Sequence, residues 1–402
     1  PARAGCRQPR RRPRRVNAPK AASGLVIKEV TSPADRKAFI DLVYKLYAND
    51  PNFAPPLRSD IAALIGDIRS NPWFEHGRAK FWLALRGSDV VGRISAQVDT
   101  LVLEHIDPAL GHFGMFECVD DPAVAKALID TAEAWLREQG MQRVQGPFSI
   151  SIWDEPGLLV DGFDKPPTVM MGHHLPYYKA LVEAAGYVGV KDLYTYELDV
   201  TRSFPDIVQR IVSSGEKNKR ISVRKVDKSR FAEEAALILD ILNDAWTGNW
   251  GFVPLTPLEV KHVGKKLKPL VYEDLIRIAS YDGVPVAFMI ALPDLNEFTR
   301  DLNGSLFPFG WAKLLWRLRN PKTTRIRVPL MGVRKSLQGS RTASMLAFML
   351  IEYIRRSGVE TYDGKVGEIG WILDDNGPMQ SIARAIDSHI TKTYRIFERT
   401  IA

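Results

Sequence analysis

The sequence predicts a mixed α/β fold (an α+β mixed sheet) in which two similar halves follow each other along the chain. Segments with the two-residue apolar period of strands alternate with longer segments that have the period of helices. One order of elements occurs twice, before and after about residue 200: a hairpin, a strand–loop–helix unit, a strand, a helix and a final strand. A chain of 402 residues with 45% hydrophobic content is also long enough for two domains. A mixed sheet covered by helices follows from this alternation.

Apolar periodicity places the elements of the first half. Pro33 suits the start of its first helix, because the missing N–H of proline costs nothing there. The predicted elements are a strand at 25–30, helices at 33–46 and 61–68, hairpin strands at 81–85 and 90–98, the segment 112–118, a helix at 122–139, a strand at 143–146, a helix at 176–185 and a strand at 193–198.

The second half repeats this order. Tyr281, Asp282 and Gly283 between two apolar runs indicate a hairpin turn. The predicted elements are a strand at 221–226, helices at 232–245 and 258–267, hairpin strands at 275–279 and 284–292, the strand–loop–helix unit 324–358, a strand at 360–372, a helix at 378–389 and a strand at 392–398. We therefore expect domains at 25–200 and 201–402, preceded by a disordered basic tail at 1–24.

The segment 324–358 is the most informative part of the chain. Apolar and polar residues alternate from Arg325 to Leu330, as in a half-buried strand, and an amphipathic helix follows that is predicted to end at Gly358. The short basic loop between them opens onto a helix N-terminus, where unpaired N–H groups and the helix dipole favour an anion.

The loop pattern resembles the acyl-CoA pyrophosphate loop of the GNAT acyltransferases, Gln/Arg-x-x-Gly-x-Gly/Ala. Arg341 stands where that family has its second glycine. Pro329 cannot donate a ladder hydrogen bond, so the strand is expected to separate from a neighbour there; in the family this separation opens a slot for the pantetheine arm and thioester. The expected acyl-CoA contacts are Gly332, Val333, Arg334, Gln338, Gly339, Ser340, Arg341, Thr342, Ala343 and Asn376, of which Asn376 has a helix cap as its alternative role.

The first half lacks such a loop. Its strand leads to its helix through Glu117, Asp120 and Asp121, and carboxylates beside a helix N-terminus satisfy the free N–H groups and repel a pyrophosphate. Acyl-CoA is therefore expected only in the second half, with the first half as scaffold and part of the acceptor pocket.

Charge and cysteine content limit the other function classes. Residues 1–24 carry eight basic and no acidic side chains, which leaves 47 basic and 47 acidic side chains in the remainder and no general basic surface for nucleic acid. Cys6 and Cys118 are too few for a disulfide framework, so we expect a cytoplasmic protein. The tail lacks the apolar core of a signal peptide. It is a solvated leader or a tether to an anionic membrane.

Several phrases resemble one bacterial family of tandem GNAT-like proteins that includes the bacterial ceramide synthases. The phrases lie at 71–79, 114–122, 146–167, 173–178 and 303–316 and near the C-terminus, where EIGWILDDN and KTYRIFE occur. The resemblance implies transfer of a long-chain acyl group from acyl-CoA, as co-substrate, to the amine of a sphingoid base, with 3-oxosphinganine as the expected acceptor. No permanently bound cofactor is expected.

Amide formation from a thioester needs a neutral amine, an oxyanion donor and a proton for the thiolate. A backbone N–H near Gly332 or Val333 is the predicted oxyanion donor. The candidate proton-transfer groups are Glu368, His173, His174 and Tyr394, each of which has a structural role as its alternative. The histidines show no metal-ligand spacing, so no metal is expected.

The segment 303–320 interleaves large apolar residues with Lys313, Arg317 and Arg319. This composition is typical of a helix lying at a membrane surface, and its alternative is a helix packed on its own domain. We expect peripheral binding at the inner face of the cytoplasmic membrane. Two other functions stay open: a non-catalytic module that senses lipid or CoA, and a Fem-like transferase using aminoacyl-tRNA, against which the charge balance argues.

Overall fold

The computed structural model describes residues 24–402. The tail predicted at 1–24 lies, except for Gly24, outside these residues. One sheet of 13 strands runs through the whole described chain, and its order is β1-β2-β3-β4-β5-β13-β7-β12-β11-β10-β9-β8, with β6 paired to β13. Two parallel pairs, β4 with β5 and β11 with β12, lie among antiparallel ones. The predicted mixed sheet is confirmed.

The first half supplies seven strands and five helices. They are β1 Leu25–Glu29, α1 Pro33–Leu46, α2 Arg58–Leu64, β2 Gly77–Arg86, β3 Asp89–Asp99, α3 Thr100–His105, β4 Leu110–Cys118, α4 Pro122–Glu138, β5 Arg143–Gly146, β6 Leu158–Asp161, α5 Tyr178–Ala184 and β7 Val188–Asp199.

The second half supplies the remaining six strands and seven helices. They are α6 Asp206–Lys217, β8 Ile221–Lys225, α7 Phe231–Trp246, α8 Pro257–Leu267, β9 Ile276–Tyr281, β10 Val284–Pro293, α9 Leu295–Thr299, α10 Gly310–Arg319, β11 Arg325–Val333, α11 Arg341–Tyr362, β12 Val366–Leu373, α12 Gly377–Ala385 and β13 His389–Thr400.

The two halves exchange their final strands. Strand β13, at the end of the chain, pairs with β5 of the first half on one side and with β7 on the other. Strand β7, which ends the first half, pairs with β12 of the second. Each final strand therefore completes the sheet of the other half. The division at residue 200 remains a prediction, because the hydrogen-bonded sheet continues across it.

The helix predicted to end at Gly358 continues to Tyr362. The true end is Asp363, which adopts a left-handed conformation with φ 61°. Gly358 serves packing instead, since an added Cβ would lie 2.4 Å from Cδ1 of Ile326 on β11. As a consequence, the strand predicted from residue 360 begins at Val366, and the helix predicted to reach 389 ends at Ala385.

The exchange of strands makes Phe397 on β13 a test of how far the two halves depend on each other. Its ring is fully buried in the apolar core of the first half. We expect Phe397→Ala to lower the free energy of unfolding by ~3–5 kcal/mol, in a single denaturant transition, because the strand belongs to both halves. Val188→Ala, at an exposed site on β7, should change stability by less than ~0.5 kcal/mol. Two separate transitions in the Phe397 variant would contradict this expectation.

Candidate active site

A fork between two parallel strands forms the site. β11 and β12 are paired only from Arg325–Val328 to Val366–Ile369. Beyond these four residue pairs the strands diverge, at Pro329 on one side and Gly370 on the other. The separation of the strand predicted at Pro329 is therefore observed, between β11 and β12. Proline has no N–H with which to continue the hydrogen-bond ladder.

The fork opens into an apolar slot. The slot and the solvent-open space at its mouth together measure about 690 Å³. Loops from both halves close it, and the residues between 24 and 402 that line it include no titratable side chain. The lining residues are Ile152, Trp153, Trp246, Asn249, Trp250, Phe252, Val328, Pro329, Met331, Ile369, Gly370, Trp371, Ile372, Leu373, Asn376 and Met379.

The predicted pyrophosphate loop lies between β11 and the N-terminus of α11. Gly339 adopts φ 74°, a conformation that favours glycine, and the space beside its Cα is open. Ser340 caps the helix by accepting a hydrogen bond from the Ala343 N–H at 3.1 Å. The preceding N–H groups, of Arg341 and Thr342, lie in the first turn, where a helix supplies no partner. Gln338 fixes the loop by donating to the carbonyls of Val333 and Ala245.

The backbone of β11 alternates between its neighbours, and this decides which N–H groups face the slot. The Arg334 N–H donates to the Val286 carbonyl of β10 at 2.8 Å. Because alternate residues of a strand share one side, the N–H of Gly332 also points to β10, and those of Met331 and Val333 point away from it. The Met331 carbonyl accepts from the Trp246 ring in the slot wall, in agreement with this.

Gly332 is therefore not an oxyanion donor. Its role is packing, since an added Cβ would lie 2.9 Å from the ring of Phe288. The basic loop is also less free than its sequence indicates. The Arg334 guanidinium forms an ion pair with Asp240, and the Lys335 N–H donates to Asp244 at 2.9 Å.

The corresponding turn of the first half offers no such site. Asp121 accepts from the Ala123 N–H at 2.8 Å at the N-terminus of α4, and it also pairs with Arg86. Glu117, predicted to face this turn, points into the core instead, where the hydroxyls of Tyr47 and Tyr178 donate to it.

Glu368 lies beneath the fork in a buried charge network. One carboxylate oxygen is 2.8 Å from Nη1 of Arg327, and the other is 3.2 Å from Nη2 of Arg325. Arg327 also donates to the Gly370 carbonyl at 3.0 Å and Thr168 donates to Glu368, while Arg325 pairs with Glu197. Both oxygens of the Glu368 carboxylate are therefore already occupied by hydrogen-bond donors within the fold.

The two predicted histidines lie away from the slot. Nε2 of His173 is 2.8 Å from a carboxylate oxygen of Asp50, and burial lowers the pKa of His173 against the opposing effect of Asp50. Nδ1 of His174 accepts the Leu159 N–H at 3.0 Å, and burial together with His173 lowers its pKa to about 3. His174 is thus a neutral hydrogen-bond acceptor that positions the backbone.

The last two candidates also have structural roles. Tyr394 is fully buried in an apolar cluster and donates to the Gly172 carbonyl at 3.0 Å, and burial raises the pKa of its hydroxyl. Asn376 caps α12 by accepting the Met379 N–H at 3.2 Å. Asn376 lines the slot, unlike the four candidate proton-transfer residues. Its role as the cap of α12 is therefore compatible with a ligand contact.

No family model matches the chain. A protein of Caulobacter vibrioides (strain NA1000 / CB15N) named bacterial ceramide synthase is 41% identical to it over 378 residues, which cover 94% of this chain and 98% of that protein. The chain belongs to the bacterial ceramide synthase family. Protein YghO of Escherichia coli (strain K12) is also 41% identical to the present chain, over 377 residues that cover 94% of this chain and 95% of YghO.

Solved structures confirm the tandem GNAT fold of this ceramide synthase family member. A tandem GNAT protein from the clavulanic acid biosynthesis pathway superposes with a TM-score of 0.55 at 13% identity, covering 94% of this chain and 99% of that one. A GCN5-related N-acetyltransferase from Sphaerobacter thermophilus gives 0.50 at 12% identity, covering 94% and 96%. The fold class and the family expected from the sequence are both confirmed.

Sequence reasoning missed the aromatic wall of the slot. Trp153 of the first half stacks on Trp246 of the second, with ring centroids 6.0 Å apart and an interplanar angle of 11°. Trp250 and Phe252 continue the wall. The signal was available, because two tryptophans and a phenylalanine lie within the seven residues 246–252, a glycine-containing segment at the end of α7.

The charge network gives a test of Glu368. Glu368→Gln leaves two buried guanidinium groups short of a counter-charge, so we expect the free energy of unfolding to fall by ~3–5 kcal/mol. Denaturant titration would measure this, with Glu233→Gln, an exposed ion-pair partner of Arg230, expected to change stability by less than ~1 kcal/mol. A variant as stable as the parent but ~10²–10⁴-fold slower would instead make Glu368 the general base.

Proposed function

We propose that this member of the family is an acyl-CoA-dependent N-acyltransferase that transfers a long-chain acyl group to the amine of a sphingoid base, with 3-oxosphinganine as the expected acceptor. The observation that carries the proposal is the pairing of an open strand fork with a free helix N-terminus. The N–H groups of Arg341 and Thr342, in the first turn of α11, are available to a pyrophosphate, and the apolar slot suits the acyl thioester.

The reaction needs no acyl-enzyme in this arrangement. The thioester carbonyl, placed along β11, would accept a hydrogen bond from the N–H of Met331 or Val333 as negative charge develops on its oxygen. The neutral amine attacks, the C–N bond forms and the C–S bond breaks. The proton that the nitrogen loses balances the one that the departing thiolate gains, so CoA leaves as the thiol. Cys118 is not suited to act as a nucleophile, because it is fully buried and burial raises the pKa of its thiol.

The aromatic wall accounts for the long chain. Trp153, Trp246 and Trp250 present flat apolar surfaces on which an extended hydrocarbon can pack, and each buried methylene contributes ~0.8 kcal/mol. A module that only senses lipid or CoA would use the same slot. Product formation separates the two functions, since a sensor binds acyl-CoA without forming an amide.

We also propose that the segment 303–320 docks on a membrane surface. Five of its large apolar residues are exposed, among them Phe307 at 82%, Phe309 at 78% and Trp316 at 66%, whereas Leu306, Leu314 and Leu318 are half-buried. Within residues 24–402, no helix is long and apolar enough to cross a bilayer, but an interfacial helix does not need to cross it. Basic residues follow on the same helix, although Lys313 and Arg317 are already paired with Asp301.

The location of the segment supports the docking. It connects β10 to β11, and β11 forms one wall of the slot. A lipid amine and a long-chain acyl group both partition into bilayers, so an exposed apolar surface on the segment that leads into β11 provides a route for them. An exposed cluster of this kind is otherwise unfavourable in water.

Substitution at Gly339 tests acyl-CoA binding. Gly339→Asp adds a negative charge at the helix N-terminus, so we expect affinity for CoA to fall at least ~10-fold and amide formation from acyl-CoA and sphingoid base to fall with it. Titration calorimetry and mass spectrometry of the product measure the two effects. Gly87→Asp is the control, because Gly87 also has a positive φ and open space but lies in a distant hairpin. Normal CoA affinity in the Gly339 variant would contradict the assignment.

Introduction of negative charges into the exposed aromatic surface tests the docking. We expect Trp311→Glu with Trp316→Glu to abolish co-sedimentation with anionic liposomes while the melting temperature stays unchanged, since both side chains are more than half exposed. Turnover of water-soluble short-chain substrates should persist. The control pair Val188→Glu with Val284→Glu changes exposed apolar residues elsewhere. If the tryptophan variant unfolds, or still co-sediments, the segment does not dock.

A further inference from the structure

A second cavity lies next to the slot and shares Ile152, Trp153 and Trp250 with it. Both halves build it. Residues of β3, β4 and β5 meet the loop after α7 and the first turn of α8. Unlike the slot, it is lined by charged and polar side chains among the apolar ones. These side chains are His76, Asp99, His112, Gln145, Ser151 and Glu259.

A triad of His76, Asp99 and Glu259 dominates this polar lining. Nδ1 of His76 is 2.9 Å from Oδ1 of Asp99, and Nε2 is 3.3 Å from Oε1 of Glu259. Burial lowers the pKa of His76, but the carboxylates of Asp99 and Glu259 beside the ring outweigh burial and raise the pKa to about 9. One imidazolium and two carboxylates leave the lining with one uncompensated negative charge.

Two buried groups in the same cavity lack hydrogen-bond partners. The His76 side chain is only 10% exposed, and its Nε2 has no hydrogen bond of good geometry among residues 24–402. His112 is 7% exposed, and within the described chain its ring nitrogens bond to no other residue. Burial lowers the pKa of His112 to about 4 despite the charge on Asp99, so the ring is neutral and can both donate and accept. Buried polar groups of this kind normally find a partner.

The polar lining therefore matches the chemistry of a small cation that also carries hydroxyl or carbonyl groups. We propose that it binds the polar head of the amine acceptor, with Glu259 and Asp99 as the counter-charges of the ammonium and His112 as the partner of a neighbouring hydroxyl or carbonyl oxygen. This inference rests on the proposed N-acyltransferase function and names the site of its acceptor. The shared wall residues put the head next to the slot.

Glu259 is the residue at which the inference can be tested with least damage to the fold. Its other oxygen accepts the Thr256 N–H at 2.8 Å in a capping box at the start of α8. Glutamine serves equally well at that position of a capping box. Glu259→Gln thus removes the negative charge from the cavity and keeps the helix cap.

We expect Glu259→Gln to raise KM for the amine by about 10- to 100-fold, the effect of losing a hydrogen bond to a charged group. KM for acyl-CoA and kcat should stay within about threefold of the parent. Asp35→Asn, in the capping box of α1, is the matched control and should leave both KM values unchanged. The melting temperatures of all variants are measured alongside.

Binding without turnover gives the second measurement. A short-chain 2-amino-1,3-diol and the same diol without the amine are titrated while tryptophan fluorescence is followed, since Trp73, Trp153 and Trp250 line the cavity. We expect the parent to prefer the amine and Glu259→Gln to lose that preference. A preference that persists in the variant, or an unchanged amine KM, overturns the acceptor site. A parent that binds the amine but forms no amide overturns the proposed reaction and leaves the binding site standing.

Discussion

The buried guanidinium of Arg327 holds the two strands together at the point where they separate. It bonds to the Glu368 carboxylate and to the carbonyl of Gly370, the first residue of β12 beyond the segment that is paired with β11. Burying charge is costly, and such networks stabilise a fold only when every partner is in place. Here the network fixes where pairing stops. The width of the slot and the direction of the free N–H groups of β11 both depend on that point.

The exchange of final strands explains why two similar halves can have different roles. Strand β13 joins the core of the first half while its neighbour β7 joins that of the second, so neither sheet is complete alone. The first half has its own parallel pair, β4 with β5. Phe148 fills the space beyond it, because its carbonyl would lie 1.4 Å from a Cβ at Gly114. In the first half the Phe148 N–H thus keeps the chain against β4 through the Phe113 carbonyl, while in the second half the fork opens onto the slot.

The sequence predicts the fold better than the site, and the reason is physical. Periodicity reports which face of an element is apolar, so the hairpin strands are recognisable. The missing N–H of Pro329 predicts the fork, and the resemblance to the GNAT pattern indicates the loop at Gly339. Periodicity does not report what surrounds a polar side chain. Glu368, His173 and Tyr394 have suitable chemistry for proton transfer, yet each is buried and already bonded. The helix end at Asp363 was missed because packing against Ile326, rather than chain termination, requires Gly358.

The absence of titratable side chains from the slot lining bears on how the amine becomes reactive. An ammonium is stable beside the carboxylates of the second cavity and unstable in an apolar environment, because desolvation disfavours the charged form and lowers the pKa of an amine. Movement of the proposed acceptor from the charged cavity to the apolar slot therefore favours loss of its proton without a dedicated base in the slot. The same apolar environment strengthens the hydrogen bond between a β11 N–H and the developing oxyanion. The polar cavity and the apolar slot thus have complementary roles: one selects the charged acceptor, and the other favours the neutral nucleophile.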